Sequence, residues 1–276
     1  MLLKFTKMHG LGNDFMLVDA VTQLVKLPTE KIKQWSDRHF GIGFDQLLLV
    51  EPATHPTADF RYRIFNADGG EVQQCGNGAR CFAIFVREKG LTSKSEIQVE
   101  TLGGLLLLTV WDDNEVTVNM GKPRFEPAEI PLLAKQVSAS YALTIGNESI
   151  DIGAVSMGNP HAIIRTNNID TAPVVDLGSI IESHADFPEK ANVGFMQVVN
   201  RSQIRLRVYE RGAKETLACG TGACAAVVTG IHQGLLEHEV HVQLPGGELF
   251  IQWPGVDQDV LMSGPATTVF EGTVIL

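Results

Sequence analysis

Three features of this 276-residue chain predict an α+β fold with extensive antiparallel sheet. Short stretches rich in Val, Ile, Leu and Phe, each bounded by Gly, Pro, Asn or Asp, outnumber the helical patterns. Apolar residues at 44% and charged residues at 20% give the balance of a chain that packs a core. Polar landmarks also recur at a nearly constant offset, which predicts two copies of one fold. At roughly 150 residues per domain, the length suits one large or two small domains.

The first half reads as strands at Leu2–Lys7, Phe15–Asp19, Gln46–Glu51, Phe60–Phe65, Ile97–Thr101, Leu105–Trp111 and Glu115–Met120. The second half reads as strands at Ala162–Arg165, Gly194–Val199, Gln203–Tyr209, Glu239–Leu244, Glu248–Trp253 and Val260–Gly264. Helical patterns cover Thr29–Arg38, Gly78–Lys89, part of Ile169–His184, and Thr221–His232. Gly90 and Gly234 stand where two of these helices need a C-terminal cap.

The internal repeat is carried by CGNGARCFA (75–83) and CGTGACAAV (219–227), offset by 144. The same offset sets Asn66 on Glu210, and an offset of 146 sets Asn13 on Asn159 and Gln46 on Asn192. Gly121, Pro123 and Pro127 break the strand pattern and place the boundary between the copies within Met120–Pro127.

Composition narrows the function. A net charge of −10 disfavours nucleic acid and anionic membrane surfaces as partners. The longest apolar run, Leu105–Val110, falls far short of the ~20 residues of a membrane-spanning helix. The N-terminal MLLKFTKMHG lacks the apolar segment of a signal peptide, so a cytoplasmic location is expected. Four cysteines are too few for a disulfide scaffold, and neither C-x-x-C nor a nearby His provides a metal-binding spacing, so no metal is expected.

Each CGxGA motif follows a strand and a polar loop and opens a helix. The first turn of a helix exposes unpaired N–H groups and roughly half a positive charge, which favours a bound carboxylate and a thiolate. An ordinary thiol titrates near pH ~8.5, so a modest depression yields a base at neutral pH. Cys81 and Cys224 lie within the helical patterns among Phe82, Phe85, Ala225 and Val228 and read as core. Cys75 and Cys219 read as functional. Two halves facing one cleft would set these thiols on opposite sides of a ligand, suited to removing a proton from one face of a carbon and returning one to the other. The enolate-like intermediate would be met by N–H groups at Gly76, Asn77, Gly220 and Thr221, where losing one donor typically costs about 3–4 kcal/mol. No cofactor is needed under this scheme. Arg211 suits a bidentate carboxylate contact. Asn13, Asn66, Asn159 and Asn192 can both donate and accept, while Glu210 and His161 suit an ammonium group, so an amino acid is the expected ligand.

These residues stand in segments that resemble the diaminopimelate epimerases: MHGLGNDF (8–15), GIGFDQLL (41–48), FNADGGEVQQCGNGARC (65–81), GNPHA (158–162), ANVGF (191–195) and YERGAKETLACGTGAC (209–224). The resemblance implies two pseudo-symmetric α/β halves, each a β-sheet wrapped around a central helix, with the active site in the cleft between them. It implies that the last strand returns to the first half, giving domains of 1–119 plus 265–276 and of 120–264. It implies interconversion of LL- and meso-diaminopimelate without a cofactor, in lysine and peptidoglycan precursor biosynthesis. Cys75 and Cys219 then look like the acid/base pair, and His161 and Glu210 like the pair that tunes the reacting ammonium. Asn13, Gln46, Asn66, Asn159, Asn192, Glu210 and Arg211 look like substrate contacts, with the backbones of Gly76, Asn77, Gly220 and Thr221. A homodimer is also implied, although Phe270 stands where several relatives have a Tyr that supports it.

Four rival readings remain at this level. A proline racemase or hydroxyproline epimerase has no second amino-acid head group for Arg211 and the asparagines to hold. An isomerase of the phenazine-biosynthesis type would not require both thiols. A thiol redox switch has no use for the amino-acid-binding set, and a non-catalytic binding module would tolerate loss of either cysteine.

Overall fold

The computed structural model describes residues 2–72 and 75–276. The chain forms two compact units, Met1–Asn119 with Ser263–Leu276, and Met120–Met262. The first unit runs β1 (Leu2–Gly10), β2 (Asn13–Asp19), α1 (Thr29–Ser36), β3 (Gln46–Pro52), β4 (Phe60–Asn66), β5 (Glu71–Val72), α2 (Gly76–Glu88), β6 (Glu96–Thr101), β7 (Gly104–Val110) and β8 (Val116–Asn119). The chain continues as β9 (Tyr141–Ile145), β10 (Glu148–Ser156), β11 (Pro160–Arg165), α3 (Val174–Glu182), β12 (Asn192–Asn200), β13 (Gln203–Glu210), β14 (Lys214–Thr216), α4 (Gly220–His232), β15 (Glu239–Leu244), β16 (Gly247–Gln252) and β17 (Leu261–Gly264). The last strand, β18 (Thr267–Ile275), belongs to the first unit and pairs antiparallel with β1.

From β10 onward the second unit repeats the element order that the first unit starts at β1. The parallel pairings repeat as well: β2 with β3 and β4 with β6 in one, β11 with β12 and β13 with β15 in the other. Neighbouring hairpins are antiparallel.

Each unit wraps its sheet around one buried helix. Along β4, Phe60, Tyr62 and Ile64 are buried, and Phe60 and Tyr62 meet Phe82 of α2 edge-on at 6.1 and 5.3 Å between ring centroids. The alternate Arg63 turns outward to Glu71. In α2 every residue from Gly76 to Val86 is buried. In α4 small side chains let the sheet approach closely: a Cβ on Gly153 of β10 would lie 2.0 Å from Thr229 Cγ2. The opposite faces carry the shorter helices. Ile32 and Trp35 of α1 pack with Leu3, Met16 and Phe44, and Val174 and Ile181 of α3 pack with Phe187, Phe195 and Tyr209.

The helices after Cys75 and Cys219 begin at Gly76 and Gly220, one to two residues earlier than the apolar pattern, because each cysteine is itself the N-cap. Gly90 and Gly234 adopt φ of 66° and 71°, with the next N–H returning to Val86 O and Gly230 O in the Schellman manner. Five strands escaped the reading of local pattern: β5, β9, β10, β14 and β18, the last of which only the resemblance implied. Among the described residues, no helix is long and apolar enough to cross a membrane.

Candidate active site

In the first unit, β1 and β2 join through Leu11 and Gly12, both at positive φ (55° and 88°), the two-residue turn whose twist matches a hairpin. The turn delivers Asn13 to the start of β2. Cys75 is half-buried and extended, at φ −143° and ψ 119°, with its carbonyl accepting a hydrogen bond from the Tyr62 hydroxyl at 3.2 Å. The second motif glycine serves that contact, since a Cβ on Gly78 would lie 2.6 Å from Tyr62 Oη. The space beside Gly78 is filled by that tyrosine.

The Cys75 thiol donates to Asn13 Oδ1 at 3.7 Å, and Asn77 Nδ2 donates to the same oxygen at 3.3 Å. Gln46 Nε2 donates to Asn66 Oδ1 at 2.8 Å across the β3–β4 ladder, leaving Gln46 Oε1 buried without a partner among the described residues. Such an acceptor is costly unless something fills it. Cys81 lies in the core, and burial pushes its thiol up to about 12.

The second unit builds a longer chain of contacts. Cys219 is buried and caps α4, and its thiol donates to Glu210 Oε2 at 3.1 Å. Glu210 Oε1 accepts from Thr216, and Thr221 Oγ1 lies 3.6 Å from the sulfur. Asn159 Nδ2 donates to Thr221 Oγ1 at 3.4 Å, and His161 Nε2 stands 3.0 Å from Asn159 Oδ1. Because that oxygen only accepts, Nε2 carries the proton and Nδ1 presents a lone pair, buried and unpartnered among the described residues.

Asn192 is a strut: Nδ2 donates to Pro160 O at 3.2 Å, and Oδ1 accepts from Arg211 N at 2.9 Å. The exposed Arg211 side chain donates to Glu189 O at 2.9 Å. Glu182 of α3 was not foreseen, because nothing in the sequence marks one helical carboxylate among many. Its Oε1 accepts from Gly212 N at 2.9 Å and so fixes the turn that carries Glu210 and Arg211.

One electrostatic expectation reverses at Cys219. The helix start was expected to depress the thiol. Burial instead pushes it well above its ordinary value, joined by the Glu210 charge and the hydrogen bond Glu210 accepts. Thr221 and the Gly222 N–H act in the opposite direction but are outweighed.

His161 is shifted the other way. Burial, and secondarily the Arg211 charge, lower it from 6.5 to about 3, so it is neutral at pH 7. A histidine depressed on folding adds stability that is full above its unfolded pKa and is lost as pH falls toward the folded one. Between pH 7.5 and pH 5.0, this residue is therefore expected to remove about 2 kcal/mol of stability. Urea unfolding of wild type and His161→Gln at both pH values measures it: the variant should show the smaller loss, and an equal loss would refute the assignment.

The fold is shared with known epimerases. A hydroxyproline epimerase from Agrobacterium vitis aligns with a TM-score of 0.72 over 99% of this chain and 92% of its own, at 16% identity, a likeness of fold alone. The diaminopimelate epimerase family model matches residues 5–126 and 153–269. Diaminopimelate epimerases of Nitrosomonas europaea and Ectopseudomonas mendocina are 60% and 56% identical over 276 residues, with 100% of both chains covered in each case. The chain belongs to the diaminopimelate epimerase family.

Proposed function

We propose that the protein interconverts LL-2,6-diaminopimelate and meso-diaminopimelate without a cofactor, with Cys75 and Cys219 as its acid/base pair. The reading rests chiefly on one observation: a cysteine caps the central helix of each unit, at the same place in the same order of elements. Inversion at one carbon needs a base on one face and an acid on the other, and a duplicated fold supplies two such groups.

Loss of the α-proton to a thiolate forms a carbanion conjugated with its carboxylate, and the opposite thiol returns a proton. The thiolate becomes a thiol and the thiol a thiolate, so the enzyme is left set for the reverse direction until its protons re-equilibrate with solvent. Glu210 is the acceptor that can take the Cys219 proton, turning thiol and carboxylate into thiolate and carboxylic acid. N–H groups at Gly76, Asn77, Gly220 and Thr221 would meet the enolate-like charge. The His161 lone pair suits the reacting ammonium, as does Glu210 while it is still a carboxylate, and Arg211 suits a carboxylate. Asn13, Gln46, Asn66, Asn159 and Asn192 complete the substrate set, with Asn192 acting through Arg211 as well.

A cytoplasmic homodimer in lysine and peptidoglycan precursor synthesis accords with this activity. Along β18, Val269, Phe270 and Ile275 are 54%, 46% and 71% exposed and available for self-association, with Phe270 edge-on to Phe5.

Reduced protein free of pyridoxal phosphate, incubated with LL-diaminopimelate in deuterated water, should yield meso product carrying deuterium at one α-carbon. Turnover of proline in its place would select a proline racemase, and no exchange with either would leave a binding module or redox switch.

A further inference from the structure

The amide of Asn13 has two ends of opposite character, and its orientation decides what Cys75 faces. With oxygen toward the sulfur, the thiol has an acceptor and the neutral form is favoured; with nitrogen there, an N–H would favour the thiolate. The orientation is set from behind. Asn13 Nδ2 donates at 2.9 Å to Asp45 Oδ2, a carboxylate oxygen that only accepts. Asp45 is itself held: its Oδ1 accepts from Arg38 Nη2 at 2.7 Å, and its N–H donates to Asp14 Oδ1 at 2.9 Å. Arg38 also grips both oxygens of Asp14, which in addition takes a bond from Lys7. Burial alone would raise Asp14, but the hydrogen bonds from Arg38 and Lys7 prevail and hold it at about 2, so Asp14 stays ionised at neutral pH.

The other side of Asn13 is fixed in the same manner. Arg80, which only donates, gives a hydrogen bond to Asn77 Oδ1 at 3.0 Å, turning Asn77 Nδ2 toward Asn13 Oδ1. Two side-chain amides are thus aligned head to tail between an acceptor-only carboxylate and a donor-only guanidinium. Besides these groups, the ionisable Tyr62 faces the Cys75 carbonyl, and His9 Nδ1 faces Gly12 N in the turn before Asn13.

We propose that Asp45 is a positioning residue for Cys75: it locks the Asn13 amide with its carbonyl oxygen toward the sulfur and keeps that sulfur a protonated thiol in the resting enzyme. This rests on the reading of Cys75 as an acid/base group. It also makes the two sulfurs unequal, since Cys75 faces an amide oxygen that cannot take its proton and Cys219 faces a carboxylate that can.

The test is the pH dependence of Cys75 alkylation by iodoacetamide in the full chain, read at Cys75 by peptide mass mapping. Asp45→Asn frees the Asn13 amide to turn, and the midpoint for Cys75 should fall by about one pH unit, while Asp45→Glu, still acceptor-only, should recover part of the shift. In an Asn13→Ala background, Asp45→Asn should no longer move the midpoint. An unchanged midpoint in the single variant overturns the proposal. So does an equal shift in both backgrounds, which would mean that Asp45 acts through its charge alone. A loosened loop would raise the alkylation rate without moving the midpoint, and that outcome also counts against it. Should Cys75→Ala retain epimerase activity, the acid/base reading fails separately, whatever the alkylation midpoints are.

Discussion

Cys75→Ala and Cys219→Ala are each expected to lose epimerisation by on the order of 10²–10⁴ fold, because on the proposed reading each removes a group that moves a proton at the reacting carbon. The losses should differ in kind. With one thiol left, a substrate whose α-proton faces it can still exchange slowly with solvent deuterium without inverting. The two variants should therefore retain exchange on opposite stereoisomers, which also assigns each cysteine to a face. Chiral analysis of diaminopimelate in deuterated water reads both quantities. Turnover within tenfold of wild type in either variant would remove that cysteine from the reaction.

Arg80→Ala is expected to cost about 3–5 kcal/mol of stability, from two hydrogen bonds lost and a large buried side chain removed from the core. The guanidinium is wholly buried, with Nη2 on Asn77 Oδ1 at 3.0 Å and Nε on Pro265 O at 3.1 Å. Its removal takes this donor from both acceptors, at roughly 1–3 kcal/mol each, and opens a cavity. Pro265 lies in the segment that brings β18 back to β1, so Arg80 ties that return to α2. Arg80→Met keeps most of the volume and should lose less than alanine but more than 1 kcal/mol, because the two hydrogen bonds from the guanidinium are still lost. Urea unfolding measures both, and an alanine variant within 1 kcal/mol of wild type would rule out this anchoring.

The repeat gives this residue a further meaning. At the offset that aligns the two cysteine motifs, Arg80 stands on Cys224, a small buried side chain inside α4. The motifs match at the helix start, where both meet the same need, and diverge one turn later. There, the first helix holds a returning strand through Arg80, and the second carries a small buried cysteine.

Most strands and all four α-helices were legible because apolar alternation, helical periodicity and turn residues agree locally. The long strands that were missed share a trait. Gly153 interrupts β10 and Gly272 interrupts β18, and glycine in a strand is commonly read as a break. In both cases it marks a close approach: against Thr229 in one, and in the other against Phe5, whose ring atom Cζ would lie 2.7 Å from an added Cβ. That neighbour is distant in the chain, so no local pattern announces it. The same holds for the groups behind the candidate site. Asp45, Arg38, Glu182 and Arg80 look like ordinary charged residues until their partners are known.

By itself, the sequence determined the candidate groups and their duplicated order, because side-chain identity and spacing are properties of the chain. The tertiary structure decided protonation and orientation. Burial beside Glu210 keeps Cys219 a thiol against the helix field, and burial keeps His161 neutral. Asp45 and Arg80 turn two amides toward each other. These depend on desolvation and on which donor faces which acceptor, both set by residues far apart in the chain and brought together only by folding.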